Sequence, residues 1–296
     1  MNVAISGVLV ALIGLGTPAS AQAQRYSVTD LGTLGGATSK GYGINASGQV
    51  AGEAVTAGSV GHAFLYTPGS GMTDLGTLGG GSSTGYAINA SGQVTGAAVT
   101  AGGVFHAFLY TPASGIIDLG TLGGGTSKGY GTNASGQVTG EAVTTGGVGH
   151  AFLYTPGSGM IDLGALGGRT SNGYGINASG QVTGQAVTAG GVFHAFLYTS
   201  GSGMIDLGTL GGGSSTGYAI NASGQVTGAA VTANGTLHAF LYSNHVMRDL
   251  KSLIDPALAV YVTLDSGKAI NDDAWIIANG VDSRTGDTHA YLLRKH

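Results

Sequence analysis

Residues 74–117 read DLGTLGGGSSTGYAINASGQVTGAAVTAGGVFHAFLYTPASGII, and the next residue, Asp118, begins the same 44-residue stretch again. Working outward from it, Asp30, Asp74, Asp118, Asp162 and Asp206 open successive copies, and His62, His106, His150, His194 and His238 begin HAFLY in each. Residues 81–101 recur without change at 213–233. A sixth, divergent copy carries Lys268-Ala-Ile-Asn and ends in His289-Ala-Tyr-Leu, with an insertion around Ile254–Val262 and the single tryptophan, Trp275, that mark it as a terminal cap. Fixed-period self-similarity of this length is the signature of a repeat architecture.

Each unit divides into four short strand candidates. In the second these are Gly85–Asn89, Gln93–Thr100, His106–Thr111 and Ile116–Leu122. Asn89-Ala-Ser-Gly92 supplies an Asx side chain and a glycine for positive φ, which is turn chemistry, and Ala113-Ser-Gly115 and Thr100–Val104 are two further turns. No window holds a helical apolar period, because glycine interrupts all of them. Four strands in a repeat of about 40–45 residues is the size of a propeller blade. The expected fold is therefore all-β, a six-bladed β-propeller, with a β-solenoid as the alternative. The last copy stops after three strands at Leu293, and residues 26–34, YSVTDLGTL, form a fourth strand with no first three before it. Joining the two would close the ring and remove two exposed edges.

DLGTLGG, GYGINASGQV and HAFLY together resemble the HAF-repeat family of bacterial extracellular proteins, over Tyr26–His296. The resemblance implies export and a repeat architecture and brings no activity with it. Members often show Asn-Asp in the first turn; here Asn271-Asp272 keeps that pair and the other copies have Asn-Ala.

Composition sets the remaining bounds. Charged residues are 8% of the chain and hydrophobic ones 42%, so a core can be buried and a disordered, highly charged chain is excluded. Glycine is abundant, at 59 copies, but never at every third position, which excludes collagen. The ten Lys and Arg are scattered and the net charge is −4, against the clustered cations that nucleic acid requires. With no cysteine there is neither a disulfide framework nor a thiolate metal site. Val8–Leu15, VLVALIGL, followed by small residues up to Ala23, predicts a signal peptide over residues 1–23 and a mature repeat domain over 24–296, secreted or periplasmic. The apolar run is too short to span a bilayer.

Candidate chemistry is thin. In HAFLY the His, Phe and Tyr share one strand face, so the repeated histidines read as packed, hydrogen-bonded residues and not as converging metal ligands. The repeat aspartates before Leu-Gly can accept backbone N–H groups at the strand exit. Glu53 and Glu141 occupy the same place two units apart, where other units have Ala or Gln. Asp282 and Asp287 flank a polar turn. The G-x-S-x-G match at 81–85 joins two strand candidates, not a strand and a helix as a hydrolase elbow would.

Variation between copies concentrates just before HAF and just after DLGTLGG. The first place holds Gly61, Phe105, Gly149, Phe193 and Leu237; the second holds Lys40, Thr84, Lys128, Asn172 and Thr216, with Arg169 replacing a glycine. Both are expected as loops on one face, and rigidly held variable loops are where binding residues concentrate. Lys40, Phe105, Lys128, Arg169, Phe193 and Leu237 are thus the candidate ligand contacts. The expected function is an exported, monomeric, non-enzymatic binding or scaffolding protein without a cofactor, taking a glycan or a cell-surface protein. A polysaccharide hydrolase or lyase and a structural surface or matrix component are the alternatives.

Overall fold

The structure is a computed structural model that describes residues 27–295. The expected signal peptide therefore lies outside the described residues. The described residues from Leu31 onward form one compact unit, and it holds all the sheets. There are six antiparallel sheets in chain order, spanning residues 35–76, 79–118, 123–162, 167–206, 211–249 and 262–293. The first five have four strands each and the sixth has three. In every sheet the strands lie side by side in sequence order.

Local chemistry explains the second sheet and, by repetition, the others. Its strands are Gly79–Ile88, Val94–Thr100, Phe105–Thr111 and Gly115–Asp118. Asn89 makes the first turn: its Oδ1 accepts from the Ser91 and Gln93 amides at 3.0 Å each. Gly92 completes it at φ +73°, a conformation that costs a side-chain-bearing residue energy. The first strand begins earlier than its apolar pattern suggests. Gly79 and Gly80 run so close to the second strand that a Cβ on Gly80 would overlap the backbone of Val99 and Thr100, while Thr77 Oγ1 donates to the Gly80 carbonyl. The residues expected in a loop after DLGTLGG are strand residues as a result.

Sheets pack face to face. Phe108 of sheet two is fully buried against Ala51, Ala63, Leu65 and Leu75 of sheet one, and Phe152, Phe196 and Phe240 repeat the arrangement. Burying each such ring is worth about 1.5–3 kcal/mol. In sheet six Tyr291 takes the phenylalanine's place, and its hydroxyl is buried with no hydrogen-bond partner. The insertion before that sheet folds as a 3-10 turn, Leu250–Leu253, and a single helical turn, Pro256–Ala259, each capped by an aspartate, Asp249 and Asp255. The all-strand reading missed these because the capping pattern is only a few residues long. No helix among the described residues is long and apolar enough to cross a membrane.

The expected fourth strand of sheet six is not formed among the described residues. Residues 27–33 belong to no strand, and Leu34 bridges Thr56 of sheet one, just as Leu78 bridges Thr100 of sheet two. Each such leucine is tied to the sheet that follows it.

Candidate functional site

The variable positions converge, though not on loops. Lys40, Lys128 and Arg169 lie within first strands, and Phe105, Phe193 and Leu237 are the first residues of third strands. Sequence reasoning placed them on separate loops. It noted that the position of Glu53 and Glu141 varies, but not that the second strand sets it between them in the sheet. Lys40 pairs with Glu53, Thr84 with Ala97, Lys128 with Glu141, Asn172 with Gln185, and Thr216 with Ala229. Next along that face stand Gly61, Phe105, Gly149, Phe193 and Leu237, beside Val55, Val99, Val143, Val187 and Val231.

Each of the first five sheets therefore presents one variable triplet, and its members are matched in size. Where the second strand offers glutamate, the third offers glycine: a Cβ at Gly61 would overlap Glu53 Oε1, and one at Gly149 would overlap Glu141 Oε1. Where the second strand offers Ala97, Gln185 or Ala229, the third offers Phe105, Phe193 or Leu237, which are 38–49% exposed. Sheets one and three present Lys–Glu–Gly, and sheets two, four and five a neutral pair beside an apolar side chain. The signal was present in the sequence as paired variation eight residues apart.

Beside the triplets runs a row of tyrosines, one per first strand. The rings of Tyr42, Tyr86, Tyr130, Tyr174 and Tyr218 follow one another at 5.9–6.3 Å between centroids. Lys268 of sheet six ends the row, with Nζ 4.6 Å from the Tyr218 centroid, a cation–π contact. Burial, and then the Glu53 carboxylate, push the Tyr86 phenol up. Burial and Glu141 hold Tyr130 well above the usual phenol range. Tyr174 is raised by burial, then Tyr218 and Glu141. The two glutamates thus lie close to the aromatic row.

The repeated histidines are held in a way the sequence did not reveal. His62 Nδ1 lies 2.9–3.0 Å from both carboxylate oxygens of Asp74, and His106, His150 and His194 pair with Asp118, Asp162 and Asp206 in the same way. His238 pairs with Asp249. The expected backbone role of these aspartates also holds: Gly76 N donates to Asp74 Oδ1 at 2.7 Å. An offset of 12 residues in four pairs and 11 in the fifth, across one hairpin, was the available clue. An ionised carboxylate only accepts, so Nδ1 carries the proton and orients the ring. The imidazoles are shared out one to a sheet. No group of three or more His, Asp or Glu among the described residues is placed to hold a metal ion.

The off-register acids Glu53, Glu141 and Asp282 lie in different sheets. Glu53 and Glu141 belong to sheets one and three, with sheet two between them. Asp282 forms a fork with Arg284, whose hydrogen bonds pull its carboxyl down to about 2, and its backbone amide closes the turn on the Asp287 carbonyl. The G-x-S-x-G residues 81–85 lie inside one strand, and Ser83 Oγ is occupied, accepting from Ala63 N at 2.8 Å.

No protein-family model matches the chain. No curated protein matches it either. Among solved structures it is similar to a protein provisionally named TolB from Agrobacterium tumefaciens, at 13% identity, a TM-score of 0.52, and coverage of 88% of this chain and 91% of that one. It is also similar to TolB from Acinetobacter baumannii, at 11% identity and a TM-score of 0.48, with 83% of this chain and 63% of that one covered. A third is the BP39L lectin from Burkholderia pseudomallei, at 13% identity and a TM-score of 0.44, with coverage of 86% and 80%. At such identities the likeness to the first is one of fold alone, and the other two, with TM-scores below one half, add no argument.

Proposed function

We propose that this chain is an exported, non-enzymatic binding protein of the HAF-repeat type, whose blades present a glycan or a cell-surface protein with the variable triplets. The observation that carries this reading is the convergence of three variable positions into one matched triplet in each of the first five sheets, on a scaffold that otherwise hardly varies. Neutral drift would scatter substitutions. Here a glutamate coincides with a facing glycine, and an alanine or glutamine with a facing phenylalanine or leucine. Exposed aromatic rings beside hydrogen-bonding side chains suit a ligand that combines apolar faces with hydroxyls, as a sugar does. Lys40 and Lys128 are exposed and next to their glutamates. They can donate to hydroxyls while the carboxylates accept.

The test is a broad glycan array probed with the purified chain and with two variants, Phe105→Ala/Phe193→Ala and Lys128→Ala/Glu141→Ala. Specific binding by the native chain, lost at least tenfold in both variants, is expected. Binding that survives both variants would remove the triplets from the site. An array with no hits would point to a protein ligand instead.

A further inference from the structure

Each sheet meets the next through the same set of contacts, and the first and last sheets each carry an unmatched half of that set. At the five steps between sheets, an asparagine Nδ2 donates to the backbone carbonyl of the corresponding asparagine one sheet on. Asn45 reaches Asn89 at 3.0 Å, Asn89 reaches Asn133 at 2.8 Å, and the series ends with Asn221 and Asn271 at 3.1 Å. At four of the steps an alanine N–H also donates to a serine Oγ of the next sheet at 2.8 Å: Ala63 to Ser83, Ala107 to Ser127, Ala151 to Ser171 and Ala195 to Ser215. Alanine and leucine of one sheet then close over valine and phenylalanine of the next.

The accepting half stands uncovered on sheet one. Ser39 is exposed where Ser83 is 1% exposed, and Ile44 is 71% exposed where Ile220 is 9%. The donating half stands uncovered on sheet six. Ala290, Leu292 and Ile277 occupy the places of Ala63, Leu65 and Ala51. The sheet-one residues are all buried, whereas Leu292 is 52% and Ile277 47% exposed. Apolar side chains left bare at positions buried or half-buried in the other sheets mark a docking surface.

The step between sheets also has little freedom. Gly129, Gly173, Gly217 and Gly267 press so close to Thr95, Thr139, Thr183 and Thr227 of the preceding sheet that a Cβ would overlap the hydroxyl. Close-packed interfaces of this kind do not deform continuously. The two bare halves are complementary and unlike each other, so neither fits a copy of itself. A second copy of this chain is the occupant that fits both.

The geometry points to head-to-tail self-association, in which sheet six of one copy docks on sheet one of the next and repeats the internal interface. In it, Ala290 N–H donates to Ser39 Oγ and Asn271 Nδ2 donates to the Asn45 carbonyl. Such a contact is heterologous and leaves a free end on every assembly, so it propagates until a ring closes. It does not depend on what the triplets bind.

The chain has no cysteine, so introduced thiols report cleanly. Light scattering of the native chain across a hundredfold concentration range should show the mass rising in multiples of one chain. A short bismaleimide should join Ser39→Cys to Ala290→Cys when the two single variants are mixed, and should join neither variant to itself. Leu292→Glu and Ile44→Glu should each weaken association at least tenfold without shifting the melting temperature at concentrations where the chain is single, since both side chains are then exposed. A single-chain mass at every concentration would overturn the proposal, with no variant needed. So would cross-linking of the Ser39→Cys/Ala290→Cys double variant within one chain at high dilution, which would mean a ring closed on itself. Cross-linking of Ser39→Cys to Ser39→Cys would mean sheet one pairs with itself, and would also overturn it.

Discussion

Replacing Asn133 with alanine tests how this fold is held together. The side chain makes four hydrogen bonds: its Oδ1 accepts from Ser135 N at 3.1 Å and Gln137 N at 3.0 Å, and its Nδ2 donates to Gln137 Oε1 at 2.7 Å and to the Asn177 carbonyl of the next sheet at 3.0 Å. At about 1 kcal/mol net for each bond the loss is about 4 kcal/mol, and rehydration of the exposed turn reduces it to about 3. Unfolding about 270 residues carries an entropy of about 0.6 kcal/mol per degree, so the melting temperature should fall by about 5 °C. Asn133→Asp separates the contributions. It keeps the acceptor for both turn amides and turns the two Nδ2 bonds into oxygen–oxygen contacts, so it separates the Gln137 bond and the inter-sheet link from the turn amides. Asn271→Ala in sheet six, which has no following sheet within the chain, should cost less than Asn133→Ala. Urea unfolding followed by circular dichroism, with scanning calorimetry, would measure all three. A cost below about 1 kcal/mol for Asn133→Ala, or equal costs at 133 and 271, would refute the view that these asparagines bind sheet to sheet.

Tyr291→Phe should raise stability by about 1 kcal/mol in the same urea assay, because it removes a buried hydroxyl without a partner and restores the residue found at this place in the other sheets. Phe152→Ala should cost about 3–5 kcal/mol and Phe105→Ala markedly less, since the first ring is fully buried and the second 40% exposed. Arg284 holds the Asp282 carboxyl at about 2 against 3.8 for a free aspartate, so the pair stabilises above pH about 4 and is lost as pH falls from there towards 2. In Asp282→Asn the stability difference from the native chain should vanish across that window, as read by urea midpoints at each pH. Burial and Glu141 raise the Tyr130 phenol, which favours its neutral form, so the folded state should lose stability as pH climbs above 10. Tyrosinate absorbance should then rise in two stages, and Glu141→Gln should advance the second.

Much of the architecture was legible before any coordinates. The 44-residue period, the Asn-Ala-Ser-Gly turns and the alternation in HAFLY depend only on local backbone preference and on which face of a strand is apolar. They led to six units of antiparallel strands, and the structure has them. The boundaries of the first strands were misplaced because Gly79–Gly81 look like a loop by composition. They are strand residues because that strand must run against its neighbour without side chains in the way. The His–Asp pairs were hidden for a related reason: 12 residues and a hairpin separate the partners, and only strand register brings His62 onto Asp74.

The candidate site shows the same division. The sequence by itself determined which positions vary, that acids and aromatics are among them, and that they recur once per unit. Only the tertiary structure decided that Lys40, Glu53 and Gly61 adjoin one another, because cross-strand pairing joins residues by register and not by distance along the chain. Among the described residues, it also gave sheet six three strands and left half an interface exposed on each terminal sheet. A repeat sequence specifies the contact between neighbouring units many times over. Whether the last unit meets the first depends on the angle accumulated over every step, and no single unit encodes that sum.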